Sequence, residues 1–369
     1  MSKRDSPNSA LDMNVQLVKD CGIEWFHLPE ASVNVLVKGF AFRNRAFVEA
    51  RNLAKLFVLR EGDQDKRRII DQFKNTLREL NGHFAVVVKY GTWLLAGVDR
   101  TRSIPLFYGT VGREFFLSDD AVRIQTQTGS EPKDDLACAE FLLSSYVTGP
   151  DTLYTRVKQL QAGELIIVAN NCSEEVMQAD RYYRFLRGDY LSLNEEEYIG
   201  HLDAVLEGAI RRLITSVDGK PMIIPLSGGF DSRIIVLLLQ RLGYDNIVTF
   251  SYGLSGNREA SISKEVAERL GLRWIFIPYS RSKWHDWFHS SEREAYYRYA
   301  DGLASLPHLQ DWPAVKVLRQ DRLIPEDSVF VPGHTGDFIA GGHVPQRLYE
   351  GRGRTADAGV QAILQKHFW

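Results

Sequence analysis

The chain has 369 residues, of which 44% are hydrophobic and 11% are aromatic. These values are ordinary for a globular protein, and at roughly 150 residues per domain the length predicts about two domains. Lysine and arginine number 45 against 47 acidic side chains, so the formal net charge is −2. This balance excludes the overall basic field with which proteins hold nucleic acid or an anionic membrane surface.

Cysteine content and hydropathy narrow the class of protein further. Cys21, Cys138 and Cys172 include no CxxC pair, which argues against a disulfide scaffold and a structural zinc site. Residues 1–21 are a polar N-terminal extension unlike a signal peptide, and no segment has the about 18 consecutive apolar residues that span a bilayer. We therefore expect a cytoplasmic protein with neither a membrane nor a nucleic-acid partner.

The first half of the chain, from residue 22 to about 185, is rich in short apolar runs that indicate strands. The runs predict strands over 23–28, 33–37, 84–88, 93–98 and 164–168. Helical patterns lie between them over 65–80 and 134–145. Strands therefore outnumber helices here, and several are spaced like hairpins.

The second half alternates helices with strands. An apolar stripe at helical spacing, with acids in the first turn, predicts a helix over 195–215. The predicted strands that follow are 222–226, 247–251, 274–278 and 328–331, and the predicted helices are 231–242 and 260–270, with a helical, aromatic-rich segment over 281–325. This alternation is typical of a parallel sheet covered on both faces. We place the boundary near 187–194, which gives domains over 22–190 and 191–369.

The string SGGFDS, residues 227–232, joins the first strand of the second half to the next helix. A loop that ends at a helix N-terminus offers unpaired N–H groups and the positive end of the helix dipole, so it attracts phosphate. The two glycines let the backbone approach an anion closely, and the two serines add hydroxyl donors. Asp231 would repel a bound phosphate, and a bridging Mg²⁺ resolves that conflict.

The alternative for this string is a capped helix after a glycine turn, in which Asp231 is only a favourable N-terminal charge. The string is neither a Walker A loop, since no GK[ST] follows, nor a GxGxxG. Its position between a buried strand and a helix favours the phosphate-binding interpretation.

SGGFDS resembles the pyrophosphate-binding loop of the ATP pyrophosphatases, and most closely that of the asparagine synthetase family, which includes β-lactam synthetase and lasso-peptide cyclases. Three further segments resemble that family in order and spacing: TFSYG at 249–253, Glu259 followed by EVAERLG at 265–271, and GHTGDFIAGG at 333–342. Phe338 stands where the last of these usually has Glu, which puts that residue's role toward the acceptor in doubt. For this loop the alternative is a glycine turn with Asp337 as a helix cap.

The resemblance implies a role for each matching position. Pyrophosphate is held by Ser227, Gly228, Gly229 and Ser232, and Gly333 is a further cofactor-binding position. Adenine is lined by Ser251, Tyr252 and Gly253. Asp231 and Asp337 are the catalytic ligands of Mg²⁺, and the cofactors are ATP and Mg²⁺. Glu259 is a candidate base or acceptor contact, with a solvated acid at a helix start as the alternative.

The first half resembles glutamine amidotransferase domains through LNGHFA at 80–85, DRTRSIPLFY at 99–108 and FLSD at 116–119. The implied fold class is α/β: an N-terminal Ntn-type (N-terminal nucleophile) αββα sandwich, followed by a parallel-sheet, adenine nucleotide α-hydrolase-like (PP-loop) domain.

Glutaminase chemistry needs a cysteine whose own free α-amino group is the base. Cys21-Gly22-Ile23 mimics such a start, yet twenty residues precede it, and the family's glutamine-carboxylate segment is missing. We favour a small side chain at a strand start for Cys21, and hence an inactive glutaminase domain.

The implied function is an ATP-dependent ligase that adenylates a small-molecule carboxylate and passes it to ammonia or an amine. The sequence of the second signature, GHTGDFIAGG at 333–342, resembles that of family members found with surface-polysaccharide enzymes, which suggests a sugar uronic acid as substrate. The alternatives are a catalytically silent nucleotide-binding relative and a ring-forming ligase of the β-lactam synthetase or peptide cyclase type.

The C-terminal part departs from the family, whose catalytic lysine lies well downstream of the second signature. Only 27 residues (369 − 342) follow Gly342, and we do not carry the lysine's role onto Lys366. The ending suggests a fragment, a truncated reading frame or a protein completed by another subunit. The partners we expect are therefore a completing subunit or a second copy in a homodimer.

Overall fold

The computed structural model describes residues 12–19, 22–30, 33–59, 65–129, 133–171, 174–186, 191–334 and 355–367, and the single positions 336 and 348. The chain divides into two compact units. The first comprises Met1–Asp189 with Asp301–Leu306, and the second comprises Tyr190–Ala300 with Pro307–Trp369. Nothing in the sequence pattern predicted that the short 301–306 segment would belong to the first unit.

The first unit is built mainly of strands. Its elements are β1 (Asp12–Gln16), β2 (Trp25–Pro29), β3 (Val33–Arg43), β4 (Ala46–Val48), α1 (Ala50–Leu56), α2 (Lys66–Glu79), β5 (Leu80–Tyr90), β6 (Trp93–Val98), β7 (Phe107–Val111), β8 (Glu114–Ser118), α3 (Ala121–Thr128), α4 (Asp135–Ser144), β9 (Lys158–Gln159), β10 (Glu164–Asn171) and β11 (Glu174–Arg181). The seven elements predicted from apolar patterning are all present, with ends that differ by a few residues.

Two sheets form the middle of this unit. The larger has the order β11-β10-β6-β5-β3-β2, with β4 paired to β3, and the smaller has the order β1-β8-β7-β9. Buried side chains of both sheets, such as Val87, Leu94, Phe115 and Leu117, make one core between them. Apolar surface removed from water there stabilises the packing of one sheet on the other.

Helices cover the outer faces of both sheets. Leu53 of α1 and Phe73 and Leu77 of α2 pack on the large sheet. Ile124 of α3 packs against Phe107 and Phe116 of the small sheet. The layers therefore run helix, sheet, sheet, helix, which confirms the predicted αββα sandwich.

The polar segment before residue 20 contributes β1, which was not predicted from the sequence because its short alternation of Met13, Val15 and Leu17 with polar residues lies within an otherwise polar extension. β1 pairs in parallel with β8, from Asp12 opposite Glu114 to Gln16 opposite Ser118. The buried Asp119 carboxylate then accepts from the backbone N–H groups of Val18 (2.7 Å) and Lys19 (3.1 Å). Charge-assisted hydrogen bonds of this kind hold the segment to the sandwich.

The second unit alternates helices and strands. Its elements are α5 (Glu195–Val217), β12 (Met222–Pro225), α6 (Phe230–Arg241), β13 (Ile247–Leu254), α7 (Arg258–Arg269), β14 (Arg273–Tyr279), α8 (Arg281–Phe288), α9 (Ser291–Ala300), α10 (Trp312–Gln320), β15 (Val329–Phe330) and α11 (Ala356–His367). The 281–325 segment, predicted as helical throughout, is helical in three separate pieces.

The four strands of this unit form a parallel sheet in the order β14-β13-β12-β15. On one face, Val236 and Leu239 of α6 and Ala267 of α7 pack on Ile224 of β12. On the other, Ala314 and Leu318 of α10 pack on Phe250 of β13. Burial on both faces explains the continuous apolar strands, and it confirms the predicted parallel α/β arrangement. Among the described helices, none is both long and apolar enough to cross a membrane.

Candidate active site

A cavity of about 720 Å³ opens at the carboxyl ends of β12 and β13. Ligands of parallel α/β sheets bind at this edge, because the loops that follow the strands converge there. The lining residues come from the second unit: Pro225, Leu226, Ser227, Asp231, Ser232, Phe250, Ser251, Tyr252, Gly253, Leu254, Asn257, Glu259, Ala260, Gln310, Asp311, Gly333 and His334.

The SGGFDS loop is ordered by its own serines. The Ser227 N–H donates to Ser232 Oγ at 3.1 Å, and the Gly229 N–H donates to Ser227 Oγ at 3.1 Å. The guanidinium of Arg233 donates to the carbonyl oxygens of Gly228 (2.6 Å) and Gly229 (3.0 Å). These bonds hold the loop in one shape before any ligand binds.

The Gly228 N–H is bound by a carboxylate. It donates to Glu259 Oε2 at 2.7 Å, and a Cβ at Gly228 would lie 2.5 Å from that same oxygen. The loop therefore donates a backbone N–H to a carboxylate oxygen just before the start of α6.

Glu259 itself lies in the first turn of α7, whose N-cap is Asn257. Asn257 Oδ1 accepts from the Ala260 N–H at 2.8 Å, a side-chain cap that fixes the helix start. Glu259 is exposed, as expected for a solvated acid at a helix start. It also lines the cavity and accepts the hydrogen bond from the Gly228 N–H. Its role in catalysis stays a prediction.

The second glycine segment packs directly on the start of α6. A Cβ at Gly333 would lie 3.0 Å from the Ser232 backbone nitrogen, and a Cβ at Gly336 would overlap the Asp231 carboxylate. Two strings that are about 105 residues apart in sequence therefore meet at Asp231. Asp337 and Phe338, the other predicted positions of this segment, lie outside the described residues.

The end of β13 forms another wall of the cavity. The hydroxyl of Ser251 forms hydrogen bonds within the protein: it donates to the Leu226 carbonyl at 2.6 Å and lies 2.6 Å from Ser263 Oγ. Gly253 has φ +131°, a conformation that L side chains rarely adopt, with Asn257 Nδ2 at 3.2 Å from where its Cβ would be. The Ser251 hydroxyl is therefore committed within the protein, and the adenine contacts of this segment stay a prediction.

Tyr252 links this wall to the start of α10. Its ring stacks on Tyr279, with centroids 5.1 Å apart, and its hydroxyl donates to Asp311 Oδ1. Burial, followed by the hydrogen bond to Asp311, raises the pKa of the Tyr252 hydroxyl well above its ordinary value. The hydroxyl therefore remains a donor throughout the neutral pH range.

The structure brings most of the predicted site residues to this one cavity. Ser227, Asp231, Ser232, Ser251, Tyr252, Gly253, Glu259 and Gly333 line it, while Gly228 and Gly229 lie in the loop beside it. The roles of all ten remain predictions. Sequence reasoning did not assign Asn257, Gln310, Asp311 or His334, although His334 lies within the second signature.

Two other residues singled out in the sequence add nothing to the cavity. Lys366 belongs to α11 and is not among the residues that line the cavity. Cys21 lies outside the described residues, and the nearest described segment before it ends at Lys19.

Comparison with known families agrees with this arrangement of a sandwich unit followed by a parallel α/β unit. Residues 69–183 match the model of the glutamine amidotransferase domain, and residues 201–298 match the model of asparagine synthase. The two matches lie in separate units and in this order. Together they support an asparagine synthetase-like family.

No curated protein gives a significant match to the chain. Among solved structures, it is similar to an NH3-dependent NAD synthetase from Campylobacter jejuni (13% identity, TM-score 0.27), covering 38% of this chain and 59% of that one. It is also similar to a glutamine phosphoribosylpyrophosphate amidotransferase from B. subtilis (14% identity, TM-score 0.27), covering 69% of this chain and 72% of that one. Both similarities are weak.

The Glu259 contact leads to a prediction about anion binding. Glu259→Ala removes a negative charge from the Gly228 N–H and frees that donor. Repulsion between unit charges about 4 Å apart amounts to about 1 kcal/mol even in water, so free pyrophosphate should bind at least about fivefold more tightly. Isothermal titration with sodium pyrophosphate, without Mg²⁺, measures this change.

The matched control is Glu265→Ala. Glu265 is an exposed acid of the same helix that pairs with Arg269 instead of the loop, so this substitution should leave pyrophosphate affinity unchanged. Equal or weaker pyrophosphate binding by Glu259→Ala would contradict the interpretation of Glu259 as an occupant of the anion site.

Proposed function

We propose that this protein is an ATP-dependent carbon–nitrogen ligase that activates a carboxylate as its adenylate and transfers the acyl group to ammonia or an amine. The observation that carries this proposal is the meeting of the SGGFDS loop, the end of β13 and the Gly333 segment around one cavity. The asparagine synthase match over 201–298 supports the same class of reaction.

The cavity fits ATP in size and in chemistry. Its volume of about 720 Å³ falls within the ~300–1,000 Å³ of small-molecule sites. The loop presents backbone N–H groups without a Cβ at Gly228 and Gly229, and one of them already binds an anionic oxygen. The adenine would lie along 251–253 at the end of β13, and the phosphates at the start of α6.

Asp231 fits the role of a Mg²⁺ ligand. Its carboxylate is partly buried at the cavity, and its oxygens are the ligand type that Mg²⁺ prefers. We propose that Asp231 and Asp337 hold the ion. The chemistry that Mg²⁺ supplies there is neutralisation of charge on the phosphates.

The reaction proposed has two steps. A carboxylate oxygen of the substrate attacks the α-phosphorus of ATP, the bond from that phosphorus to the β-phosphate oxygen breaks, and pyrophosphate leaves. An amine nitrogen then attacks the acyl carbon, AMP leaves, and the nitrogen loses a proton to form the amide. Loop N–H groups that are fixed in advance stabilise the charge that develops on pyrophosphate, and Glu259 is the candidate acceptor of the proton.

We infer that the first unit is a glutaminase shell without activity. A Cys21 nucleophile would require removal of residues 1–20, which contain β1 and the Val18 N–H that bonds to Asp119. That removal would take an edge strand from the small sheet. Free ammonia, or an amine, is then the proposed nitrogen source.

We further propose a sugar uronic acid of surface-polysaccharide biosynthesis as the carboxylate, since the GHTGDFIAGG string resembles family members found with such enzymes. A ring-forming ligase would instead carry the amine and the carboxylate on one molecule. A silent nucleotide-binding relative would bind ATP without releasing pyrophosphate. Pyrophosphate release assayed with candidate carboxylates, with and without an added amine, separates these three functions.

Asp231→Asn should lower ATP-dependent pyrophosphate release at least about 100-fold, because it removes a charged metal ligand with little change of shape. The measurement is initial rate in a coupled pyrophosphate assay at saturating ATP and Mg²⁺. Circular dichroism should show an unchanged fold.

Asp245→Asn is the control, since Asp245 is an exposed acid two residues before β13, at the opposite end of that strand from the cavity. Its rate should equal that of the unaltered protein. A normal rate for Asp231→Asn would remove the proposed metal role.

The nitrogen source provides a separate prediction. With ATP, Mg²⁺ and an accepted carboxylate, ammonium should support amide formation, whereas glutamine should not, because its hydrolysis needs a cysteine with a free α-amino group and exposing Cys21 would remove β1. Mass spectrometry of the product with ¹⁵N-ammonium or amide-¹⁵N-glutamine measures both. Incorporation from glutamine would overturn the inactive-glutaminase assignment.

A further inference from the structure

Two histidines and an aspartate that have no role in the proposed ligase reaction meet at the wall of the cavity. His308 and Asp311 lie just before α10, and His334 follows Gly333. One nitrogen of each imidazole and one oxygen of the carboxylate lie within 4.8 Å of one another. These residues come from two segments that only the fold brings together.

The spacing of the three ligand atoms is close to that of a metal site. Asp311 Oδ2 lies 3.6 Å from His308 Nε2 and 3.9 Å from His334 Nε2. Tetrahedral zinc, with bonds of about 2.0–2.2 Å, separates neighbouring ligand atoms by ~3.4 Å. Because both histidine side chains are more than half exposed, small rotations of the imidazoles can close the difference.

Three tyrosine hydroxyls hold the 308–311 segment in place. Tyr296 donates to the carbonyl oxygen of His308 at 2.6 Å, and Tyr279 donates to that of Gln310 at 2.9 Å. Tyr252 donates to Asp311 Oδ1, which leaves Oδ2 on the side of the imidazoles. Outer hydrogen bonds of this kind orient ligating carboxylates in metal sites.

We propose that His308, Asp311 and His334 bind a divalent first-row transition metal ion of the Zn²⁺ type. Two imidazole nitrogens and one carboxylate oxygen suit such an ion, whereas Mg²⁺ prefers oxygen ligands. The site is therefore chemically distinct from the Mg²⁺ position proposed at Asp231.

Three protein ligands leave at least one coordination position for another group. Asp311 and His334 both line the cavity, so this position opens into it. Water or a carboxylate oxygen of a bound substrate is the ligand that this position would take. The metal would thereby bind a substrate carboxylate in a cavity whose described lining residues include no lysine or arginine.

A second histidine pair provides the competing site and hence the matched control. His285 of α8 and His289, the C-cap residue of that helix, are one turn apart, and their ring centroids are 4.5 Å apart. This pair has Asp286 next to it, with Oδ1 3.6 Å from His285 Nδ1, but it lies away from the cavity lining.

The test uses the tag-free full chain, stripped with a chelator and dialysed. Calorimetric titration with Zn²⁺ alone should show one tight equivalent, and Co²⁺ alone should give the visible bands of a nitrogen- and oxygen-ligated ion. The double variant His308→Ala/His334→Ala should lose at least about 100-fold in Zn²⁺ affinity. Tyr252→Phe should weaken Zn²⁺ about tenfold without changing the stoichiometry, as expected for an outer-shell positioning residue.

His285→Ala/His289→Ala should keep the tight equivalent. The proposal is overturned if the unaltered chain binds no Zn²⁺, if the His308→Ala/His334→Ala variant keeps the tight equivalent, or if the His285→Ala/His289→Ala variant loses it. His334→Gln, which preserves side-chain size at an exposed position, repeats the test should the double variant fail to fold. Neither ATP nor Mg²⁺ is present, so the result is independent of the proposed ligase activity.

Discussion

The start of α6 at the carboxyl end of β12 is the constraint on which the site depends. A buried strand that ends at Pro225 and a helix that begins at Phe230 leave a short loop whose N–H groups have no partner within the helix. The Ser227 N–H donates to Ser232 Oγ, which fixes the loop, while the Gly228 N–H donates to the Glu259 carboxylate. Burial of β12 on both faces keeps this geometry in place, because neither element can move without opening a core.

The same constraint explains why distant segments converge. Parallel strands put the ends of β12 and β13 at one edge, and β15 returns the chain there through its pairing with β12. Gly333 and Gly336 can approach Asp231 because they lack a Cβ. The absence of a side chain at Gly333 and Gly336 is therefore required by close packing, and not only by the flexibility of a turn. These glycines allow one backbone to pass against the carboxylate of another segment.

Much of this could be predicted from the sequence, and the omissions have physical causes. Apolar periodicity predicted β5, β6, β10 and the βαβαβ order, since burial on known faces fixes those patterns. It missed β1, a short alternating stretch within a polar extension, and the 301–306 segment, whose place depends on tertiary packing. Asp311 was missed because its neighbours along the chain predict only a helix start, whereas its partners Tyr252 and His334 lie 59 residues before it and 23 after it.

The central claim is that the Gly228 and Gly229 backbone binds the pyrophosphate portion of ATP. Its most direct test is NMR titration of ¹⁵N-glycine-labelled protein with ATP and Mg²⁺, with Gly228→Ala and Gly229→Ala used for assignment. The account predicts saturable shifts of these two amide signals, while Gly200 of α5 and Gly271, after α7, stay unchanged. Saturable binding of ATP that moves other glycine signals and leaves Gly228 and Gly229 in place would contradict it.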